Sequence, residues 1–234
     1  MIKGNCIYCG CDTFSMAFDG LISGELPPAE VCAKPECIAK ENAVYVERMH
    51  EEYARKHPLE TPVPPLFADT DPERLADPLG RYAKTWVPEG KGLIIHGATR
   101  KGKTRTAWFI ANRLYQVKPL NYRFLFLSMF DLEVRLVAAW GKESWDKEML
   151  KMTNYPLLFL DDLGKEKMTD RMASVLFALI DQRTQRKLPT VITTNLTGDT
   201  LLERFHDKEI GAAFVARLKD PDLFSRVAPQ ETQK

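Results

Sequence analysis

The feature that most constrains this chain is the segment GATRKGKT at residues 97–104, which follows the apolar run 93–96 and precedes a helical pattern. Its G-x-x-x-x-G-K-T spacing is typical of a loop that binds nucleotide phosphates. A strand that turns sharply into a helix directs backbone N–H groups and the positive end of the helix dipole at one point, where a phosphate can bind. The residues expected to form this nucleotide site are Gly97, Ala98, Thr99, Arg100, Lys101, Gly102, Lys103, Thr104 and Arg105.

Two loop residues and two acidic residues have specific expected roles. Lys103 is predicted to contact the β and γ phosphates, and the Thr104 hydroxyl is predicted to bind Mg²⁺. The apolar run 157–160 ends in Asp161 and Asp162, as a buried parallel strand does at an active site. We assign Asp161 to the Mg²⁺ ion and Asp162 to polarising the attacking water. The alternative for this acidic pair is an ordinary polar turn after a strand.

Composition narrows the class of protein. The chain has 234 residues, 44% hydrophobic and 28% charged, which allows one full core and a small additional module. The longest apolar run, 175–180, is too short to span a membrane, and the start lacks the apolar segment of a secretory signal. We therefore expect a cytoplasmic protein with reduced cysteines. Because the net charge is only +1, contact with nucleic acid would require a local patch or an oligomer.

All five cysteines lie within the first 37 residues. Cys6 and Cys9 form one short-spaced pair and Cys32 and Cys37 a second, a pattern typical of a tetrahedral four-cysteine zinc site. In a reducing compartment a metal ion is favoured over disulfides. A closed site of this kind has no open position for water, so the Zn²⁺ would be structural. The poorer candidate ligands are Cys11, His50 and His57.

The chain divides into three segments on this evidence. Four prolines within residues 58–65 predict a semi-rigid linker. The segment 1–57 before it is the zinc-binding module, and 66–234 is the nucleotide-binding domain. Apolar and aromatic residues at helical spacing after the last cysteine predict a helix that closes the module. These residues are Ala43, Val46, His50 and Tyr53.

Beyond the linker, apolar strands alternate with helical patterns, which indicates an α/β domain with a mostly parallel sheet covered on both faces. The predicted strands are 93–96, 124–128, 157–161, 190–194 and a fifth at 223–227. The predicted helices are 103–116, 130–140, 170–186, 199–205 and 210–218.

Two further residues are candidates for the site. Asn195 follows the fourth strand, so it should lie on the same sheet edge as the phosphate loop, where it could sense the γ-phosphate. An ordinary asparagine in a turn is the alternative. Arg217 lies on an otherwise apolar helical stretch, and a surface salt bridge is the alternative explanation for its position.

Several segments together resemble the DnaC/IstB-type branch of the AAA+ ATPases over about residues 66–228. They are GLIIHGATRKGKT, FLFLSMFDLEVRL, LLFLDDLGKEKMTDRMASVLFALIDQR, LPTVITTNLT and AAFVARL. The resemblance implies an AAA+ P-loop three-layer sandwich with a five-stranded sheet. It also implies that Lys103 and Thr104 belong to Walker A, that Asp161 and Asp162 belong to Walker B, and that Asn195 is sensor 1. Arg217 resembles the arginine that this family presents to the nucleotide of a neighbouring subunit.

The resemblance also carries expectations about activity and partners. An arginine supplied by a neighbour makes ATP hydrolysis depend on a ring or spiral of subunits, whose pore could gather basic residues around single-stranded DNA. Some loaders of this branch hold the replicative DNA helicase through an N-terminal metal module, so 1–57 is expected to contact that partner. Candidates for the DNA surface are Arg135, Lys142 and Arg171.

The chain departs from the family pattern within the loop. Arg100 and Lys101 replace a Gly-Thr pair, which adds two charges and removes one glycine. Three functions therefore stay open at this point. The first is an ATP-dependent helicase loader that uses Mg²⁺ and Zn²⁺, and the second is an IstB-like transposition helper ATPase. The third is a nucleotide-gated adaptor with little hydrolysis.

Overall fold

The computed structural model describes residues 2–15, 30–118, 121–165 and 168–230. By its internal contacts the chain divides into two compact units, 1–57 and 58–234. Among the described residues, every helix is too short or too polar to traverse a lipid bilayer.

The N-terminal unit contains a small hairpin and one long helix. Strand β1, Ile2–Asn5, pairs antiparallel with β2, Asp12–Ser15. Helix α1, Pro35–Lys56, starts with a proline at its first turn, where the missing N–H costs no hydrogen bond. Cys37 is its one buried residue, and Val46 is 48% exposed. On the predicted apolar face of α1, Ala43 and Val46 are exposed, and His50 and Tyr53 are half-buried. Among the described residues of this unit, the buried centre is its thiol cluster.

The second unit is built on a parallel sheet of five strands, which confirms the predicted fold class. The strands are β3 Gly92–His96, β4 Phe124–Ser128, β5 Leu157–Leu163, β6 Thr190–Thr194 and β7 Phe224–Val227. Their order across the sheet is β4-β5-β6-β3-β7. Because the strands are parallel, the phosphate loop after β3 and the acidic pair of β5 lie on the same edge, with β6 between them.

Helices cover both faces of this sheet. They are α2 Pro65–Ala68, α3 Leu79–Thr85, α4 Lys103–Val117, α5 Met129–Ala139, α6 Ser144–Asn154, α7 Asp170–Gln185, α8 Gly198–Leu202 and α9 Lys208–Lys219. Alternate strand residues face opposite layers: Leu93 and Ile95 pack with α3 and α4, whereas Ile94 packs with the layer that contains α7 and α9. The three-layer sandwich follows from this alternation.

Three differences from the sequence prediction concern short helices and the linker. Helices α3 and α6 were not predicted, and α8 ends at Leu202 rather than at residue 205. The predicted linker 58–65 belongs to the second unit, because Leu59 and Val63 pack on the α3–α4 core and Glu60 pairs with Lys151 at 2.7 Å. Prolines alone do not show whether a segment lies free or packs on a neighbour.

Arg183, near the end of α7, is fully buried and connects three elements. Its Nη1 donates to the carbonyls of Met152 at 2.9 Å and Tyr155 at 2.8 Å, and Nη2 donates to Pro189 at 2.7 Å. Its Nε donates to Thr190 Oγ1 at 2.9 Å. The guanidinium thus donates to carbonyls at the end of α6 and just before β6, and the carbonyls at the end of a helix have no partner within it.

Replacing Arg183 by Ala is expected to lower the free energy of unfolding by about 3 to 5 kcal/mol, because it leaves buried carbonyls without donors and opens a cavity. Chemical denaturation monitored by circular dichroism measures the change. Arg186→Ala is the matched control on the same helix end, where the side chain is exposed and bonds to Asn154. Equal losses in the two variants would contradict the structural role of Arg183.

Candidate nucleotide site and metal centre

The phosphate loop forms one wall of an open groove of about 580 Å³. Its backbone turns sharply, with φ of +138° at Gly97 and +85° at Gly102, and Lys103 begins α4 directly after it. Gly102 therefore takes the left-handed conformation that brings the chain into the helix, and the free N–H groups of the first turn of α4 face the loop. The groove is lined by Phe67, Thr99, Arg100, Gly102, Lys103, Thr104, Arg105, Asp162, Lys165 and Asn195.

Most of the residues predicted from the sequence meet in this groove. Gly97, Ala98 and Lys101 belong to the loop but are not part of the groove wall. Asp161 lies behind the wall, 8% exposed, and reaches the site through Thr104. Asn195 is exposed and lines the groove, in keeping with its position after β6.

Lys103 is a buried cation at the base of the loop. Lys103 is 6% exposed, and its Nζ donates a hydrogen bond to the carbonyl of Ala98 at 2.8 Å. Burial lowers the pKa of Lys103, while the nearby carboxylates of Asp162 and Asp161 act in the opposite direction. A phosphate oxygen is a stronger acceptor than a carbonyl, so a bound nucleotide would stabilise this ammonium group.

Thr104 and Asp161 form a pair that fits Mg²⁺. Thr104 Oγ1 lies 3.0 Å and 3.1 Å from the two carboxylate oxygens of Asp161. Burial raises the pKa of Asp161, although hydrogen bonds from Thr193 and Thr104 lower it. A buried carboxylate gains most from a neighbouring cation, and Mg²⁺ is commonly held by one carboxylate, a hydroxyl and phosphate oxygens. These side chains could therefore hold the ion.

A β-bulge separates the two acids. The register of β5 against β6 shifts between Leu160 and Leu163, and Asp162 has a φ of +61°. The displaced N–H of Asp162 donates to Thr193 Oγ1 at 2.9 Å, and the same hydroxyl donates to Asp161. A bulge re-aims side chains at a strand end, which here leaves Asp161 buried and places Asp162 on the groove wall. Positive φ at a residue other than glycine is a strain typical of functional sites.

Three residues of the site were missed from the sequence: Lys165 and Phe67 line the groove, and Thr193 is buried next to Asp161. Thr193 precedes the predicted Asn195 by two positions, and its strand-end location was an available signal. Lys165 lies three residues after Asp162, with its Nζ 3.9 Å from an oxygen of that carboxylate. Phe67 is far from the loop in sequence, and the guanidinium of Arg105 lies 5.5 Å from its ring. Nothing in the local sequence pattern indicates that Phe67 reaches the groove.

Arg100 adopts a φ of +63° in the phosphate loop. It occupies the position of the glycine that the resembling family uses, so the conformation is kept although the side chain is not suited to it. A left-handed conformation costs a residue with a Cβ about 1 kcal/mol or more relative to glycine. Arg100 therefore holds this loop conformation at some cost in free energy.

Arg217 does not reach the groove of its own subunit. Its Nε donates to Asp181 Oδ1 at 2.9 Å, Nη2 bonds to the same oxygen, and the guanidinium lies 4.5 Å from the ring centre of Phe177. This ion pair is the surface salt bridge that stood as the alternative for Arg217. A role at a neighbouring subunit's nucleotide stays a prediction.

The predicted zinc ligands meet in the N-terminal unit. The Sγ atoms of Cys6, Cys9, Cys32 and Cys37 all lie within 4.8 Å of one another. Those of Cys9 and Cys32 are 3.7 Å apart. A tetrahedral site with Zn–S bonds of about 2.3 Å has sulfur separations of about 3.8 Å, so this donor set fits Zn²⁺.

Local backbone geometry prepares the cluster. Gly10 has a φ of +72° and donates to the carbonyl of Cys6 at 2.8 Å, which closes the turn between the first two thiols. The pKa of the Cys6 thiol is lowered to about 6, mainly by a hydrogen bond from the backbone N–H of Cys32. Cys11 lies beside the cluster, with its Sγ 3.2 Å from that of Cys9. It is therefore the one nearby thiol that could compete for the metal within the described residues.

Replacing Lys103 by Ala is expected to weaken nucleotide binding by about 30- to 4,000-fold, because truncating one member of a buried charged hydrogen-bonded pair costs about 2 to 5 kcal/mol. Titration with a fluorescent adenine nucleotide in the presence of Mg²⁺ measures the affinity. Lys101→Ala is the matched control, since Lys101 lies two residues away and outside the groove wall. Similar losses in both variants would mean that the loop acts through its total charge alone.

Comparison with known proteins agrees with this geometry. Residues 67–221 match the family model described as IstB-like ATP binding protein, which is more than half of the chain. The replicative helicase loader DnaI of Bacillus subtilis (strain 168) is 29% identical over 143 residues, covering 58% of this chain and 44% of the loader. An ATP-binding protein of insertion sequence IS232 from Bacillus thuringiensis subsp. berliner is 25% identical over 133 residues, covering 57% and 52%. The chain spans about half the length of these curated relatives.

Solved structures show the same fold. The crystal structure of DnaI has a TM-score of 0.54 at 25% identity and covers 65% of this chain and 81% of that one. The crystal structure of the DnaC helicase loader has a TM-score of 0.52 at 25% identity, covering 65% and 86%. Domain III of the Thermotoga maritima replication initiation protein DnaA reaches 0.56 at 19% identity, covering 71% and 69%.

The phosphate loop follows β3, a buried aspartate and a threonine beside it fit Mg²⁺, and the fold is similar to that of the solved structure of DnaI. The residues that match the family model lie within the second unit, and the family is one of ATP-binding proteins. The chain therefore belongs to the IstB-like ATP-binding protein family, within the IstB/DnaC-type AAA+ ATPases.

Proposed function

We propose that this protein is an ATPase that loads a replicative DNA helicase onto single-stranded DNA, and that it hydrolyses ATP in a homo-oligomeric ring or spiral. One observation carries the proposal: a four-thiol N-terminal unit precedes an ATP-binding unit that is similar to the helicase loader DnaI. In this proposal the first unit holds the helicase and the second supplies the ATP-dependent step.

The proposed hydrolysis uses the residues of the groove in separate roles. Lys103 binds the β and γ phosphates, and Thr104 and Asp161 hold Mg²⁺. Asp162 accepts a hydrogen bond from the attacking water, and Asn195 donates to the γ-phosphate or to that water. Charge that develops on the transferring phosphoryl group is stabilised by these fixed groups and by Arg217 of a neighbouring subunit.

The exposed face of α1 supports a protein partner for the first unit. Tyr45 is 62% exposed, and Ile38, Val46 and Met49 are each at least 40% exposed. An apolar helix face of this size is typical of a protein-binding surface, and methionine and tyrosine are common at such contacts. We therefore assign helicase contact to this face of α1.

The candidates for the DNA surface differ in their surroundings. Arg135 is paired with Glu60 at 3.8 Å, so its charge is already balanced within the subunit. Lys142 and Arg171 are exposed, and the guanidinium of Arg171 lies against the ring of Trp140. An exposed aromatic ring beside a cation can stack bases of single-stranded DNA. Lys142 and Arg171 therefore stay in the proposal, whereas Arg135 does not.

A reconstituted loading reaction tests the function. The full chain is mixed with a replicative DNA helicase, ATP and circular single-stranded DNA, and DNA-bound helicase is separated and quantified. Loading is expected with the native chain and is expected to fall to background with Tyr45→Glu, which changes the exposed face of α1. Glu47→Ala is the control, since it removes an exposed charged side chain from the same helix and leaves the apolar residues of the face in place. Loading without ATP, or none with the native chain, would refute the proposal.

The second candidate is a transposition helper ATPase, which the similarity to the IS232 protein favours. Such a helper assembles on duplex DNA, so preferential ATP-dependent binding to duplex over single-stranded DNA would support it. The third candidate, an adaptor with little hydrolysis, is motivated by Arg100 and Lys101 in the loop. Steady-state phosphate release, with and without single-stranded DNA, distinguishes an adaptor from an ATPase.

A further inference from the structure

Arg217 rests on a small platform formed by α7, which we call the α7 shelf and define as Phe177 and Asp181. These residues lie one helical turn apart, so their side chains share a face. The ring of Phe177 lies beneath the guanidinium and the carboxylate of Asp181 holds one edge of it. The second carboxylate oxygen accepts a hydrogen bond from Gln185 Nε2 at 2.8 Å, so the shelf itself is held in place.

This arrangement limits the motion of a long, flexible side chain. The Arg217 and Asp181 side chains are 31% and 24% exposed, so the pair is half-buried rather than free in solvent. Nε and Nη2 are the nitrogens that bond to Asp181, and among the described residues Nη1 has no hydrogen-bond acceptor. The guanidinium is thus fixed at one edge and retains donors for a further oxygen ligand.

We propose that Asp181 is a positioning residue for ATP hydrolysis, which presents Arg217 in one orientation to the nucleotide of a neighbouring copy of this chain. This inference rests on the proposed role of Arg217 in trans. In the reaction, water attacks the γ-phosphorus and forms the new P–O bond, while the bond from that phosphorus to the β–γ bridging oxygen breaks and its electron pair stays with ADP. The proton of the water passes to a phosphate oxygen, and ADP and inorganic phosphate leave. Arg217 stabilises the charge that shifts to the bridging oxygen, and Asp181 ensures that the side chain is ordered before the subunits meet.

The size of the effect follows from the freedom that the shelf removes. An unrestrained arginine loses its rotamer freedom when it binds a phosphate, and prior ordering avoids that loss at the moment of reaction. Asp181→Ala is therefore expected to lower kcat of the assembled protein by about 10- to 30-fold. KM for ATP and the affinity for nucleotide should stay unchanged, because Asp181 lies outside the groove.

The experiment compares full-length variants by steady-state phosphate release at a protein concentration that supports assembly. The set is Asp181→Ala, Asp181→Asn, Arg217→Ala and the Asp181→Ala/Arg217→Ala double variant. Asp181→Asn keeps an oxygen acceptor and is expected to retain most of kcat. The double variant is expected to be no slower than Arg217→Ala, because Asp181 acts only through Arg217. Asp199→Ala is the matched control. It removes an exposed carboxylate that lies 3.4 Å from Lys219, which is on α9 like Arg217.

Each outcome decides the inference. A double variant slower than Arg217→Ala, or an unchanged kcat in Asp181→Ala, would overturn it. A raised kcat in Asp181→Ala would also overturn it, since Asp181 would then restrain Arg217. Normal turnover in Arg217→Ala would instead refute the trans arginine of the proposed function, so the two failures are distinguishable. Nucleotide affinity, measured on the same samples, shows that each variant is folded.

Discussion

Arg217→Ala is expected to lower kcat of the assembled protein by about 10³- to 10⁵-fold while leaving nucleotide affinity unchanged. The physical reason is that a guanidinium near the transferring phosphoryl group acts on charge that develops only in the transition state. The site in one subunit lacks this cation, because Arg217 is bound to Asp181 and lies outside the groove. Phosphate release and equilibrium nucleotide titration on the same preparation measure the two quantities.

A mixing experiment tests whether the arginine acts between subunits. Lys103→Ala subunits lack the phosphate-binding lysine but keep Arg217, and Arg217→Ala subunits have the opposite defect. If the arginine acts in trans, a mixture of the two inactive variants regains part of the ATPase activity, because an intact groove can meet an intact arginine. A mixture that stays as inactive as its components would contradict the trans role. Arg186→Ala serves as the control, since it removes an exposed arginine elsewhere on the second unit.

Cys37→Ser is expected to release the metal ion and unfold the N-terminal unit, while the second unit keeps its own unfolding transition. Binding of Zn²⁺ to a structural four-thiolate site contributes about 10 to 16 kcal/mol of apparent folding free energy. Among the described residues 2–15 and 30–57, the buried centre is formed by three of the cysteines with Tyr8, Cys11 and Val31 around them, so the described part of the unit buries little apolar surface apart from the thiols. Metal content by atomic emission and calorimetric unfolding measure the loss.

Cys11→Ser is the matched control for the metal site. Cys11 lies next to the cluster but is not one of the four thiols that lie within 4.8 Å of one another. This variant is expected to keep one Zn²⁺ per chain and to unfold like the native protein. Equal metal loss in the Cys11 and Cys37 variants would contradict the assigned ligand set, and a native chain purified without metal would contradict the zinc site altogether.

The sequence predicted the sheet well because four of its strands, β3 to β6, are buried on both faces. The runs at Phe124–Ser128 and Thr190–Thr194 have the predicted bounds, and the other three strands differ by one or two residues. Such strands carry near-continuous apolar residues between polar ends, which is a strong local signal. Helices α3 and α6 are short, with 7 and 11 residues, and were not predicted, because short helices depend on tertiary packing for their stability.

The site was predictable to the extent that its residues stand in short motifs. GATRKGKT and the acidic pair after 157–160 name the loop and the metal-binding edge, since parallel strands bring their carboxyl ends together. The sequence does not show that Thr193 links Asp161 to the N–H of Asp162, because this requires the bulge in β5. It also does not show that Phe67, about thirty residues before the loop, lines the groove.

The sequence by itself determined the family, the order of the strands in the second unit, and which four thiols lie together, because each follows from local spacing or periodicity. Only the tertiary structure decided which polar groups are buried and what they contact. Arg183 satisfies carbonyls of α6 and β6, and Arg217 is held by Asp181 thirty-six residues away. These contacts join residues that are distant along the chain, so burial and hydrogen bonding between packed elements, rather than local pattern, determine them.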